Sequence, residues 1–377
     1  MKILSLTHHK KSRFNFALFF IMILLSAVGC LFVYSASFYS AKITYGDQYF
    51  FLKKQIFGVV VGLVCYVLFS LLNYNILQKL KWWLVGVSTL LLALVFVPGI
   101  GLTNYGATRW INLRVITFQP SEIAKFSFIV LAASLLSKNA ESVKSFKGIF
   151  LVLLIGGLYC ALIILEPNMS ITICMAMLVV VMLFLGGARL KHFLLLSVPA
   201  IFLVVFLVLI EPYRLKRLIA FADPFASSKN EGFQLVQSLL GISLGGFFGS
   251  GIFNSRQKYL FLPFAESDFI FSIIAEEVGF FGSVCLIFIY FLLFLCIRKI
   301  AKNAKDKFGC LLASGIGSLI LIQTILNLCV VVGLIPPTGL PLPFISAGST
   351  SMMIFMSMIG VIQNIHKNST NCDNFRN

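Results

Sequence analysis

Residues 251–282 read GIFNSRQKYLFLPFAESDFIFSIIAEEVGFFG, and they run from a polar loop into an apolar stretch. Arg256, Lys258, Glu266, Asp268, Glu276 and Glu277 fall within these thirty-odd positions of a chain that is otherwise mostly hydrocarbon. Charge at the mouth of a membrane helix costs enough free energy to require a purpose. Asp268 stands where the polar loop becomes the apolar run, which makes it a candidate catalytic base, and equally a helix N-cap whose carboxylate accepts backbone N–H bonds. Glu276 lies about 80° round such a helix from Asp268, with Glu277 on the opposite face; a structural role for this pair outranks a catalytic one.

Composition sets the class. The 377 residues are 59% hydrophobic and 11% charged, with a mean hydropathy of +0.98, whereas soluble domains carry roughly 25% charged residues. An all-α polytopic membrane protein follows, because the apolar runs suit helices crossing a ~30 Å core and period-two alternation is absent. Ten spans are expected, at about 14–34, 55–72, 82–98, 120–136, 148–165, 169–185, 193–210, 268–297, 310–334 and 346–365, in one membrane domain over 1–377. One long outer loop, about 211–267, joins spans seven and eight, and loops of that length are usually functional.

The net charge of +17 is spread through many short loops rather than along one solvated stripe, which favours topology and anionic headgroups over nucleic acid. Lys10, Lys11 and Arg13 before the first span put the N-terminus in the cytoplasm, and ten spans put the C-terminus there too. On this topology about eighteen Lys and Arg lie inside and about twelve outside, the outer ones concentrated at Arg109, Arg114 and Lys125 and across Arg214 to Lys258. Basic residues kept outside suggest an anionic ligand there. All four histidines fall inside, so outer acid–base chemistry must use carboxylates, Lys or Tyr.

Arg109-Trp110 and Pro120-Ser121-Glu122-Ile123-Ala124-Lys125 form a second constellation. Glu122 and Lys125 at i,i+3 suit an ion pair, while Arg109 as a fork and Lys125 as a point charge suit a phosphate. Gly58 and Gly62 make a G-x-x-x-G that would admit a neighbouring helix, or are a chance spacing in a glycine-rich chain. The nine cysteines lack metal-ligand spacing and are read as small core residues. No phosphate-binding G-x-x-x-x-G-K-[ST] occurs, so ATP-driven work has no support.

Taken together, VYSAS at 33–37, the motifs across 106–125, QSL at 237–239, SRQK at 255–258, SDFIF at 267–271, Glu276-Glu277 and LPFIS at 342–346 resemble the SEDS family of polytopic cell-wall proteins. The VYSAS and QSL pieces are more similar to its cell-division branch than to its elongation branch. The resemblance implies a peptidoglycan glycosyltransferase that polymerises lipid II, an undecaprenyl-pyrophosphate-linked disaccharide-peptide, outside the cytoplasmic membrane at the septum. It implies a class B penicillin-binding transpeptidase and other divisome membrane proteins as partners. Asp268 matches the family's catalytic aspartate, and Arg109, Glu122, Lys125, Gln237, Arg256, Lys258 and Ser346 form the expected substrate-binding set.

Phe264 and Glu266 depart from the family's Leu-Pro-Glu-Ala-His-Thr-Asp, Asn168 stands for an Asp, and residues 347–351 replace Tyr-Gly-Gly-Ser-Ser. In the expected chemistry Asp268 deprotonates a sugar hydroxyl, and cations neutralise a departing pyrophosphate, which needs no protonation of its own. No cofactor is assigned; a divalent cation, Mg or Mn, would serve the same end as the basic side chains. The rival readings are a lipid II flippase or transporter, a non-catalytic division scaffold, and the elongation-type polymerase.

Overall fold

The computed structural model describes residues 14–104, 107–112, 117–138, 143, 145–189, 191–195, 218–226 and 232–369. Lys10, Lys11, Arg13, Arg114, Arg214, Cys372 and most of the expected span 193–210 lie outside them. Helix α1, Phe16–Tyr45, starts where the Asn15 side chain accepts the Leu18 amide at 3.0 Å and stops at Gly46, whose φ of +71° a side chain would resist. Its 30 residues overrun the expected 14–34, so its last turns rise beyond a ~30 Å core. Next come α2 (Phe50–Leu71), the short α3 (Asn75–Lys79) and α4 (Lys81–Leu94).

Residues 99–119, read as a loop, hold a three-stranded antiparallel sheet of β1 (Gly101–Asn104), β2 (Ala107–Asn112) and β3 (Thr117–Phe118) in that order. Arg109 rides on β2, beside the Leu102–Trp110 pairing. The chain continues as α5 (Pro120–Lys138), α6 (Phe146–Leu165), α7 (Met169–Gly186), α8 (Phe233–Gly245), α9 (Ile270–Lys302), α10 (Lys307–Val331) and α11 (Ser349–Asn368).

Among the described residues seven helices, α1, α2, α5, α6, α7, α9 and α10, are long and apolar enough to cross a membrane. Helices α4 and α11 stand at the expected third and tenth spans; α4 is only 14 residues long, and α11 carries Ser, Asn and Gln along its length. The 211–267 region includes α8, which packs on α9 so closely that a Cβ at Gly241 would stand 2.8 Å from Ser272 Oγ. Helices α5 and α10 form the interior, with Phe128, Ile129, Leu312 and Ile316 wholly buried.

Gly58 and Gly62 seat α11 against α2. A Cβ at Gly58 would stand 2.7 Å from the Ser349 Cα, and one at Gly62 would stand 2.5 Å from the Met356 sulfur. Backbone cannot yield as a thioether can, so the two positions should differ. Gly58→Val is expected to destabilise the chain by about 1–3 kcal/mol, and Gly62→Ala by distinctly less, as measured by thermal unfolding in detergent.

The eight described cysteines are free thiols, and the core assignment holds fully only for Cys174; Cys285 is exposed and six others are half-buried. Thiols are apolar enough to face hydrocarbon, so an apolar run does not by itself place a cysteine inside.

The expected unbroken span 268–297 is also corrected. Gly279 has φ +68° and ψ −167°, which splits α9 into two helical segments. The segment 246–251 fills the gap: Ser250 and Gly251 donate to the Glu276 and Glu277 carbonyls at 2.9 and 3.0 Å, while Phe280 and Phe281 donate to the Gly246 and Phe247 carbonyls at 2.9 and 3.1 Å. A helix broken among apolar residues must have its freed backbone groups met in this way.

Candidate functional site

Asp268 does not cap α9. The cap position is Phe269, and Asp268 lies one residue outside it in a turn, half-buried. Three successive carbonyls of this turn are held by residues distant in the sequence. Ala347 N–H donates to Glu266 at 2.8 Å, Ser346 Oγ to Ser267 at 2.6 Å, and Asn327 Nδ2 to Asp268 at 2.8 Å. Gly339 approaches the carboxylate itself: with φ +64°, its Cβ position would lie 3.0 Å from Asp268 Oδ2. Burial pushes the neighbouring Glu266 carboxyl up from its ordinary value, and the Asp268 charge adds to that shift.

The 338–347 segment is itself fixed from two helices, α10 and α7. Asn327 Nδ2 also reaches the Leu340 carbonyl at 2.6 Å, Gln323 Nε2 reaches that of Pro341 at 3.0 Å, and Ser170 Oγ donates to that of Thr338. Ser346 Oγ accepts from the Leu342 N–H at 2.7 Å. Gln323 and Asn327 are one turn apart on α10, and both amides face the loop. Sequence reasoning missed them and Gly339; two amides at i,i+4 inside an otherwise apolar run were the available signal.

From Gln323 the network continues inward. Its Oε1 accepts from Lys125 Nζ at 2.9 Å, and Lys125 pairs with Glu122 at 2.7 Å, both side chains fully buried. Lys125 and Glu122 thus belong to the interior that supports the Asp268 turn. Arg109 directs Nε to the Glu166 carbonyl at 3.4 Å and Nη2 to that of Pro167, tying β2 to the link between α6 and α7.

Arg256 and Lys258 lie on the other side of the turn, in a clasp built by the two glutamates of α9. The Glu276 carboxylate accepts from the amides of Arg256 and Gln257 at 2.7 and 3.4 Å and from the Ser255 hydroxyl. Glu277 Oε1 accepts from Ser35 Oγ at 2.6 Å, Lys258 Nζ at 3.1 Å and the Ser255 amide at 3.3 Å. The pair therefore closes a lasso from 255 to 277 with Asp268 on its arc. Lys258 is buried, the Arg256 side chain is exposed, and Gln237 is half-buried on α8.

Glu166 was not singled out as a site residue. It is 1% exposed, with neither carboxyl oxygen hydrogen-bonded, and burial pushes its pKa up to about 8 against the opposing pull of Arg109. An acid that titrates near 4.5 when unfolded and near 8 when folded leaves the native state holding the extra proton between those values. Stability then falls as pH rises through that window, by about 1.4 kcal/mol per unit. Glu166→Gln is expected to raise the unfolding midpoint at pH 8 and leave it unchanged below pH 4.5; an equal shift at both pH values would show that the native state does not hold the extra proton.

A polytopic helical bundle with a carboxylate held rigidly at the entrance of a broken span is the class that fold and site define. The model of the cell cycle protein family that unites FtsW, RodA and SpoVE matches residues 16–371. The chain belongs to that family, which is the SEDS family of the sequence motifs. It is 37% identical over 344 residues to a probable peptidoglycan glycosyltransferase FtsW of Geobacter sp. (strain M18), covering 91% of this chain and 94% of the relative. It is 35% identical over 364 residues to stage V sporulation protein E of Bacillus subtilis (strain 168), covering 96% and 99%.

Among solved structures, a chain of a peptidoglycan synthase complex that coordinates polymerization and crosslinking superposes with a TM-score of 0.79 at 28% identity, over 94% of this chain and 98% of that one. The rod shape determining protein RodA of Thermus thermophilus superposes with a TM-score of 0.70 at 26% identity, over 94% and 97%.

Proposed function

We propose that this chain is a peptidoglycan glycosyltransferase that polymerises lipid II at the outer face of the cytoplasmic membrane during cell division. The observation that carries the reading is the Asp268 turn, whose three carbonyls are fixed by Ala347, Ser346 and Asn327. A base held in this way needs no reorganisation when it acts. Asp268 takes the proton from the acceptor sugar hydroxyl, the oxygen attacks the donor's anomeric carbon, and undecaprenyl pyrophosphate leaves.

The leaving charge is met by Arg109 and Arg256. Lys125 and Lys258 act through their glutamates, because a cation already balanced at 2.7 or 3.1 Å has little charge left to offer. Among the described residues no three Asp, Glu, His or Cys side chains gather as a metal cage. Asp268 with Glu266 is still a fitting donor set for a divalent ion, since Mg is commonly held by one or two carboxylates together with substrate phosphates. Such an ion, Mg or Mn, would supply charge neutralisation at the diphosphate.

Both termini lie in the cytoplasm in this reading, and a class B penicillin-binding transpeptidase is the partner that cross-links the product. The identity of the FtsW and sporulation relatives favours septal over elongation work. Purified chain in proteoliposomes, given lipid II, is expected to yield glycan polymer without added nucleotide. Translocation of lipid II with no polymer would instead favour the flippase reading.

A further inference from the structure

At the end of the bundle opposite Asp268, a cleft of about 370 Å³ opens where α1 begins and α9 and α11 end. Lys299, Asn303 and His366 line it with Asn15, Cys296 and Leu295, and among the described residues no acidic side chain lines it. The polar end is continuous with apolar walls. Phe16 and Phe20 on α1 are 75% and 65% exposed, and Leu295, Leu292 and Phe288 form a second exposed stripe along α9. The start of α1 also turns the positive end of its dipole toward the cleft.

A cleft with cationic and amide donors at the membrane surface and hydrocarbon walls running inward matches an amphiphile with an anionic head. A free anion would use only the polar end. A helix dipole alone explains why Lys299 stands in the last turn of α9, but not why it converges with His366 and Asn303 on one cleft with a hydrocarbon wall. We propose that this cleft binds an anionic phospholipid, with Lys299, Asn303 and His366 on its phosphate and its chains along α1 and α9. The site is separate from the Asp268 chemistry, and its failure would leave that reading untouched.

The test is native mass spectrometry of the purified full-length chain in neutral detergent, incubated with phosphatidylglycerol or phosphatidylcholine. Selective retention of one phosphatidylglycerol is expected. Each unit of charge near a membrane surface is worth about fivefold in binding, so Lys299→Gln should lower retention about fivefold and Lys299→Glu, a change of two units, about twenty-five-fold. Lys53→Gln, at an exposed position that α2 places at the other end, should leave retention unchanged. Equal retention by Lys299→Glu and the unaltered chain, an equal loss in Lys53→Gln, or equal retention of phosphatidylcholine would overturn the proposal. Displacement of the lipid by millimolar inorganic phosphate would also overturn it, in favour of a simple anion site.

Discussion

Asp268→Asn is expected to lower the rate of lipid II polymerisation by about 10²–10⁴-fold, the usual effect of removing a general base, while the purified protein unfolds at an unchanged temperature. The substitution keeps the side chain's shape beside Gly339. The bonds that hold the turn run to backbone carbonyls of 266–268, which an amide side chain leaves in place. The cap position belongs to Phe269, and an unchanged unfolding temperature separates a loss of activity from a frayed helix. Substrate binding should survive, so the effect falls on kcat rather than KM. A variant that polymerises at near-normal rate sinks the base assignment. A variant that fails in the assay yet supports division at full rate points to a scaffold.

The membrane class was legible because hydropathy needs no tertiary information: a run of twenty apolar residues reads the same wherever it folds. Gly58 and Gly62 were legible as a possibility only, since the spacing shows that a helix can approach and Ser349 and Met356, some 290 positions away, show which one does. The position of Asp268 at the span entrance followed from the switch in polarity. Its setting did not, because the atoms that hold it come from Asn327, Ser346 and Ala347.

The break at Gly279 was hidden for the same reason. An apolar run of 33 residues reads as one helix, and only the partners at 246–251 make the interruption tolerable. Glu276 and Glu277 looked expensive in the sequence; the loop amides, Ser35 and Lys258 that offset their cost lie between 19 and 242 positions away. Lys125 shows the limit most clearly. Its ion pair with Glu122 is local and was one of two readings, but the Gln323 contact that ties it to the Asp268 scaffold spans 198 positions.

That contact makes Lys125→Met the second large effect. Removing one member of a buried ion pair leaves the other charge uncompensated, a loss of about 3–5 kcal/mol, and here Glu122 would remain with its carboxylate buried at the first turn of α5. The variant is expected to unfold at a markedly lower temperature and to lose activity along with it. Combining it with Glu122→Gln should restore most of the stability, because neither charge is then stranded. Activity should return only in part, since Gln323 would still lack the donor at 2.9 Å that steadies its grip on the Pro341 carbonyl. A direct phosphate contact predicts the reverse pattern: Lys125→Met would keep its unfolding temperature and raise KM for lipid II, and Glu122→Gln would rescue nothing. Thermal unfolding and steady-state polymerisation on the two single variants and the double variant therefore decide whether Lys125 supports the base from behind or touches the substrate.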